Sequence, residues 1–423
     1  PEKVEIAPDF ATGIATDRYT FENILKGATG KGEYISQSLT WDATIVGSDL
    51  IMTRKSYTDF TDGLWFEDFG KSLNEKYAVT NGEGRKIFDK LNYITNETDF
   101  RHIMGSMAGN IYANINQREN DIARTLENSL FSLQDSTNNT KENVKMNIIG
   151  GKGKNKEETD GVVGYDYTTT GVVALREVER TYKNTFGYSL GYLHTGFEFK
   201  DGNDSEEWVD TIQLGLHNKY KSNGWQLRND LMGRVSLHNI DRNIDWESPL
   251  KRSELNGTYE TYSITSENVL GKEIELGKRA SIMPYGGFRA MYVTRPSFQE
   301  DGLERLEVEG NDAWSVKPRL GIELKGALPL GRNSAWQLKG TLDFAYEYEL
   351  SDLNEREKAK LIAVEDGYHK LSKPEDEKGT FRTKTSLGIE IEDRYGIFLT
   401  GEYGIGNSDQ DDYRAGISLK AIF

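Results

Sequence analysis

The sequence predicts an all-β membrane protein, a twelve-stranded antiparallel transmembrane β-barrel with an α-helix through its pore, preceded by a small β/helical segment. Three observations carry this expectation. Strand-like segments with alternating apolar and polar residues recur from Val144 to Phe423. No run of about 18 apolar residues occurs, which excludes a helical membrane protein but permits a barrel, whose alternation dilutes hydropathy. The connections alternate between short turns and loops that are usually long and charged.

Composition agrees with this class. The 423 residues suffice for two or three domains. Only 36% are hydrophobic, yet 22 tyrosines and 43 glycines against 8 prolines favour strands and turns. A net charge of −16 argues against nucleic acid as a partner, since phosphate contacts need surplus Lys and Arg. The lack of cysteine suits a chain that must cross a narrow pore without cross-links. Pro1 opens with no charged, apolar and cleavable leader, so a mature fragment or an upstream signal is expected.

The chain changes character near residue 144. Residues 1–61 hold short strand-like pieces. Within 34–60, Leu39, Trp41, Ile45, Val46 and Ile51 alternate with polar residues, as at the end of an upstream β domain. Residues 62–143 read as a helical linker. Leu64, Trp65, Phe69, Leu73 and Tyr77 recur at helical spacing, as do Ile87, Leu91 and Ile94 after the breaker Asn81-Gly82. A further helix is expected over about 113–134, polar on nearly every face, with Arg118, Glu119, Arg124 and Glu127 among its residues. Such a helix is either solvated or housed in a polar cavity. Its roughly 22 residues span about 33 Å, close to the thickness of a bilayer.

Over 144–423 the expected strands are 144–155, 165–179, 185–200, 208–220, 225–240, 258–276, 281–295, 314–330, 335–351, 380–391, 397–406 and 413–423. Trp336, Leu338, Leu342 and Phe344 share one face, and Gln337, Lys339, Asp343 and Glu347 the other. Even-numbered strands lead into short turns (180–184, 221–224, 277–280, 331–334, 393–396). Odd-numbered ones lead into loops such as 241–257, 296–312 and 352–379. A soluble sandwich has no reason to sort loops by parity. A membrane barrel does, with short turns on the periplasmic side and long loops outside, and closure removes edges that lipid would not tolerate. Tyr182, Trp208, Tyr220, Trp225, Trp246, Trp314, Trp336 and Tyr395 lie near strand ends, where interfacial girdles are expected.

In the final strand Tyr413, Ala415, Ile417, Leu419, Ala421 and Phe423 fall on one face, and the chain stops on the aromatic. This resembles the β-signal read by the barrel assembly machinery. Upstream, Met107-Ala-Gly-Asn-Ile-Tyr-Ala-Asn-Ile115 resembles the small-Gly-x-x-Tyr-Ala segment of monomeric (type Va) autotransporters. With the polar helix and the strands that follow, residues 62–423 are similar to the translocator domain of that family. The resemblance implies a monomer in the bacterial outer membrane, among lipid and lipopolysaccharide, with a passenger in cis displayed at the cell surface. By analogy the passenger is an adhesin that meets host or bacterial surface ligands. Residues 1–61 would be its autochaperone-like C-terminal end. The helix would thread the pore, Arg118 and Arg124 pairing with carboxylates such as Glu347, Glu390 or Glu402. A porin or diffusion channel is the competing function, and a barrel hydrolase comes third.

No cofactor, metal or catalytic site is expected. No metal-binding, phosphate-binding or nucleophile-elbow motif occurs in its required context. His102 precedes the polar helix, His369 lies in an external loop, and His194, His217 and His238 fall on successive strands, where they could meet near one rim. Ser189 and Ser236 face the lumen by parity, but spacing does not single them out as nucleophiles. Gly150-Gly-Lys-Gly153 is expected to let the helix pack close. Asn138-Asn139 resembles the pair at which some autotransporters cut their own pore helix, but here it follows the helix, and a flexible linker is the expectation.

Overall fold

Alternation alone sorts the side chains of 144–423 into two faces, and the chain closes on itself to separate them. The computed structural model describes residues 3–26, 32–136, 140–156, 159–331, 335–375, 378–406 and 411–423. Two small sheets come first. β1 (Lys3–Ile6) pairs in parallel with β3 (Glu33–Ser36), while β2 (Arg18–Phe21) and β4 (Trp41–Val46) flank β5 (Asp49–Arg54). Helices α1 (Thr58–Thr61), α2 (Glu67–Lys76), α3 (Glu83–Leu91) and α4 (Glu97–Ala108) follow, then the long α5 (Ile115–Gln134).

Twelve long strands close into one antiparallel barrel. They are β6 (Glu142–Asn155), β7 (Tyr165–Thr181), β8 (Asn184–Phe199), β9 (Glu206–Ser222), β10 (Trp225–Ile244) and β11 (Ser253–Lys272), then β13 (Ala280–Arg295) after the two-residue β12 (Ile274–Glu275). The wall continues, with short strands β14 (Phe298–Asp301) and β15 (Leu306–Val308) in one loop, through β16 (Asn311–Pro329) and β17 (Trp336–Tyr348). After β18 (Lys358–Leu361) and β19 (His369–Lys370) in another loop, it ends with β20 (Gly379–Ile391), β21 (Tyr395–Gly406) and β22 (Asp411–Ile422). β22 closes on β6, with Leu419 opposite Ile148 and Ile417 opposite Gly150.

Burial is inverted relative to a soluble sheet. Leu214, Ile397 and Leu399 are 64%, 61% and 62% exposed on the outside, while Arg234, Gln213 and Glu347 are buried inside. Lipid is the solvent that makes this inversion stable. Seven of the eight expected girdle aromatics stand exposed; the exception is Trp246. Trp246 is buried instead, with its indole N–H donating to Ser253 Oγ at 2.9 Å and the Lys90 ammonium over its ring.

The connections follow parity. β9 and β10 are joined by Asn223-Gly224 alone, at φ 51° and 77°, the pair of positive dihedrals that a two-residue hairpin of the favoured twist requires. At the opposite, long-loop end, β15 pairs with β18 and extends the wall outward. There Lys360 bonds Glu307 at 2.8 Å and the Tyr368 hydroxyl bonds it at 2.5 Å. The Lys360 ammonium, more than the hydroxyl, holds the Glu307 carboxyl below the usual carboxylate range. The same contact raises the Tyr368 hydroxyl to about 12.

Helices α1 to α4 form a crown on this end. Lys90 binds Glu304 at 2.5 Å, Thr95 Oγ1 donates to Glu247 at 2.8 Å, and Arg305 pairs with Glu83 at 3.0 Å. Helix α4 starts where the Asn96 side chain accepts the Asp99 N–H at 3.0 Å, a regular N-cap. It stops at Gly109, whose φ of 94° favours glycine, and a Cβ there would lie 2.6 Å from Leu306 Cδ1. The glycine of the Gly-x-x-Tyr-Ala segment is therefore the stop that turns the chain from the crown into the pore.

Candidate functional site: the plugged lumen

Helix α5 runs down the barrel from the crown to the short-turn end, where the chain enters β6. Its polar surface is explained by what surrounds it. Arg118 pairs with Glu207 of β9 at 2.7 Å, and Arg124 with Glu347 of β17 at 2.7 Å. Glu127 takes Arg234 of β10 at 2.6 Å and Arg289 of β13 at 2.8 Å. Asp121 meets Arg414 of β22 and the Tyr165 hydroxyl of β7, the latter at 2.8 Å. Asn128 donates to Glu402 of β21 at 2.5 Å, and Ser129 bonds Asn147 of β6 at 2.9 Å. A buried charge is tolerable only when paired and hydrogen-bonded. Here the helix and the wall neutralise each other around most of the circumference.

The expected partners of the two helix arginines divide. Arg124 meets Glu347, and the wall residue Arg382 shares that carboxylate at 3.0 Å. Arg118 meets neither Glu347, Glu390 nor Glu402; it lies nearer the crown, against Glu207, and also donates to the Ile111 carbonyl at 2.9 Å. Glu390 instead binds Lys420 at 2.7 Å and also Lys339, at the short-turn end. Tyr413, Ala415, Ile417, Leu419 and Phe423 all point outward, and Phe423 joins Val144 through backbone bonds of 2.8 and 3.2 Å.

The glycines of β6 make room for something other than the helix. A Cβ at Gly153 would lie 2.1 Å from the Tyr167 ring, and one at Gly151 2.9 Å from the Ala415 carbonyl oxygen. Asn138-Asn139 lies outside the described residues.

The three strand histidines do not meet. His194 faces outward and bonds Asp210 at 2.9 Å. His238 faces inward between Glu207 and Glu119, at 2.9 and 3.0 Å, with Ser236 beside it also reaching Glu119 at 3.3 Å. His217 faces inward at a different level. Ser189 Oγ–H donates to its Nε2 at 2.7 Å, and its Nδ1–H donates to Asp230 at 2.9 Å. All three residues are at most 4% exposed. Sequence reading placed Ser189 in the lumen but did not connect it to His217 and Asp230. The signal was available: two tight hairpins set β8, β9 and β10 so that Gly187, His217 and Asp230 lie in one row.

At the same end two lysines cap α5. Lys145 donates to the Leu133 and Ser136 carbonyls, each at 3.0 Å, and Lys219 donates to the Gln134 carbonyl. Cations on the last carbonyls suit the negative end of the helix dipole. The Gln134 side chain donates to Asp230 at 2.7 Å. Across the helix from β8, a cavity of about 630 Å³ lined by Ser132, Asp135 and Arg228 remains beside α5. Among the described residues no group of three or more His, Cys, Asp or Glu side chains could hold a metal ion.

The family model described as "Autotransporter beta-domain" matches residues 144–402, and that described as "BigA beta sandwich domain" matches residues 1–56. Among solved structures the chain is similar to the translocator domain of autotransporter NalP from Neisseria meningitidis, with a TM-score of 0.56 and 15% identity, over 74% of this chain and 99% of that one. It is also similar to the transport unit of AIDA-I from Escherichia coli, with a TM-score of 0.47 and 16% identity over 74% of this chain and 98% of that one. No curated protein sequence matches the chain. At these identities the structural likenesses concern the fold alone.

Proposed function

The chain belongs to the autotransporter β-domain family, and we propose that it exports and displays the segment ahead of its pore helix, with residues 1–61 as the C-terminal end of that passenger. The barrel is an outer-membrane translocator. What supports the finer reading is the course of α5: it starts under the crown at the long-loop end and hands over to β6 at the short-turn end. A chain that ends translocation in this way leaves everything before α5 outside and keeps the barrel as its anchor.

In this reading Arg118, Arg124 and Glu127 are the residues that seat the helix, and crown helices α1 to α4 are the stop that holds the passenger at the mouth. The outward row Tyr413, Ala415, Ile417, Leu419 and Phe423 is the signal that the barrel assembly machinery reads, and lipopolysaccharide surrounds the outer rim. The displayed passenger acts as an adhesin, by analogy with the family.

The test is an epitope placed within residues 1–56, read on intact cells with antibody and external protease. Labelling and cleavage outside, with 144–423 protected, are expected. A protected N-terminal segment, reached only after the outer membrane is opened, would overturn the proposal.

A further inference from the structure

We infer that the β7–β8 hairpin holds an anionic phospholipid on the outer wall of the barrel, with Arg180 and Lys183 taking its phosphate. Both cations stand over aromatic rings at the short-turn rim. The Arg180 guanidinium lies 4.9 Å from the centre of the Phe186 ring, and the Lys183 ammonium 5.3 Å from that of Tyr182. Neither has an ion-pair partner among the described residues. Tyr182 is 84% exposed, more than any other large hydrophobic side chain among those residues, so it stands out from the wall. A ring and a cation held together at a rim suit the boundary between acyl chains and headgroups, where the ring meets lipid and the cation meets phosphate.

The charge around the hairpin is one-sided. Lys141 and Lys221 flank it: the Lys141 carbonyl accepts the Glu179 N–H and the Lys183 carbonyl the Lys221 N–H, each at 2.8 Å. Against these cations stands Glu179, which shares the inward parity of β7. The other nearby carboxylate, Glu142, is taken by Arg176 at 3.1 Å, whose guanidinium also donates to the Tyr188 hydroxyl at 2.8 Å. Above the cations the outward row of β8 turns apolar, with Tyr188, Leu190 and Tyr192 all exposed. A phosphate at Arg180 and Lys183 therefore lays its acyl chains along that row. A zwitterionic headgroup carries its own ammonium, which the surrounding lysines repel, whereas a headgroup of net negative charge is attracted throughout. Lys272 of β11 provides the contrast at the same rim. It lies 5.2 Å from the centre of the Trp225 ring, but its ammonium already donates to the Asn223 carbonyl at 2.8 Å. That the lipid comes from the periplasmic leaflet rests on the proposed orientation of the barrel; the binding itself does not.

The full chain is folded in detergent and given phosphatidylglycerol or phosphatidylethanolamine of matched acyl chains, and bound lipid is counted by native mass spectrometry. Preferential retention of phosphatidylglycerol is expected, weakening as salt rises. Each basic side chain beside an anionic lipid surface contributes about fivefold to affinity. Arg180→Gln and Lys183→Gln should each lower phosphatidylglycerol retention about fivefold, and the two together about 25-fold, with phosphatidylethanolamine unaffected. Lys272→Gln should change neither. Heat-modifiable gel mobility checks that every variant is folded. Because binding is read in detergent, its failure is separate from any failure of surface labelling within residues 1–56. The inference is overturned if the two lipids are retained equally, if the double variant keeps the preference, or if Lys272→Gln removes it as completely.

Discussion

Glu127 takes two arginines from different strands, Arg234 at 2.6 Å and Arg289 at 2.8 Å, with all three side chains at most 3% exposed. Replacing it with alanine strands two guanidinium groups in a closed lumen. Breaking a buried pair by removing one partner costs about 3–5 kcal/mol. Glu127→Ala should therefore lower the midpoint of the heat-modifiable mobility shift, and Glu127→Gln, which keeps the shape, should lower it less. An unchanged midpoint in both would remove Glu127 from the residues that seat the helix. The sequence pointed to this residue because a helix with charge on every face needs charged walls. It did not point to Glu207 as the partner of Arg118. Which wall residue meets a given helix position depends on barrel stagger and on helix rotation, and neither is written in local alternation.

At the scale of elements, the extended loops show where sequence reading stopped. The long strands were legible because lipid outside and charge inside impose strict period two. Short strands β14, β15, β18 and β19 lie outside the membrane, where that constraint lapses, and 296–312 and 352–379 were expected only as loops. Helix α4 lies within the stretch read as a helical linker but was not singled out, although Phe100, Ile103, Met104 and Met107 recur at helical spacing on its buried face, and the motif at its end was noticed without its role as a stop. The pairing of β15 with β18 carries a dependence on acidity. Glu307 is held below its ordinary value by Lys360 and Tyr368. A depressed carboxyl stabilises the folded form above its unfolded value, and that stability is lost as pH falls through the folded value, which lies below the ordinary glutamate range. The loop bearing β18 should become more susceptible to an acid-active protease as pH falls below about 4, and Glu307→Gln should be equally susceptible at neutral pH. Equal resistance of Glu307→Gln and wild type at neutral pH would show that this contact does not hold the loop.

On the scale of the whole molecule, one barrel arginine fastens the crown to the wall. Arg242 donates to the Ser106 carbonyl of α4 at 2.7 Å, pairs with Glu300 at 2.6 Å, and reaches the Glu304 carbonyl at 2.9 Å. Glu300 in turn accepts from Tyr112 at 2.6 Å, at the entry to α5. Arg242→Ala should loosen residues 58–113 while leaving the barrel closed: limited proteolysis of the detergent-folded chain should remove the crown first, and the barrel should keep its heat-modifiable mobility. Simultaneous loss of both would mean that crown and barrel fold as one unit.

The ring of pairs around α5 also bears on the cell that carries the protein. An open barrel of this width would be a hole in the outer membrane, admitting bile salts, dyes and hydrophilic antibiotics. Here the stopper is continuous with the wall it closes, and its charges face counter-charges rather than water. A copy plugged in this way presents no opening of the barrel's full width, so dense display costs the bacterium far less of its permeability barrier than open barrels would.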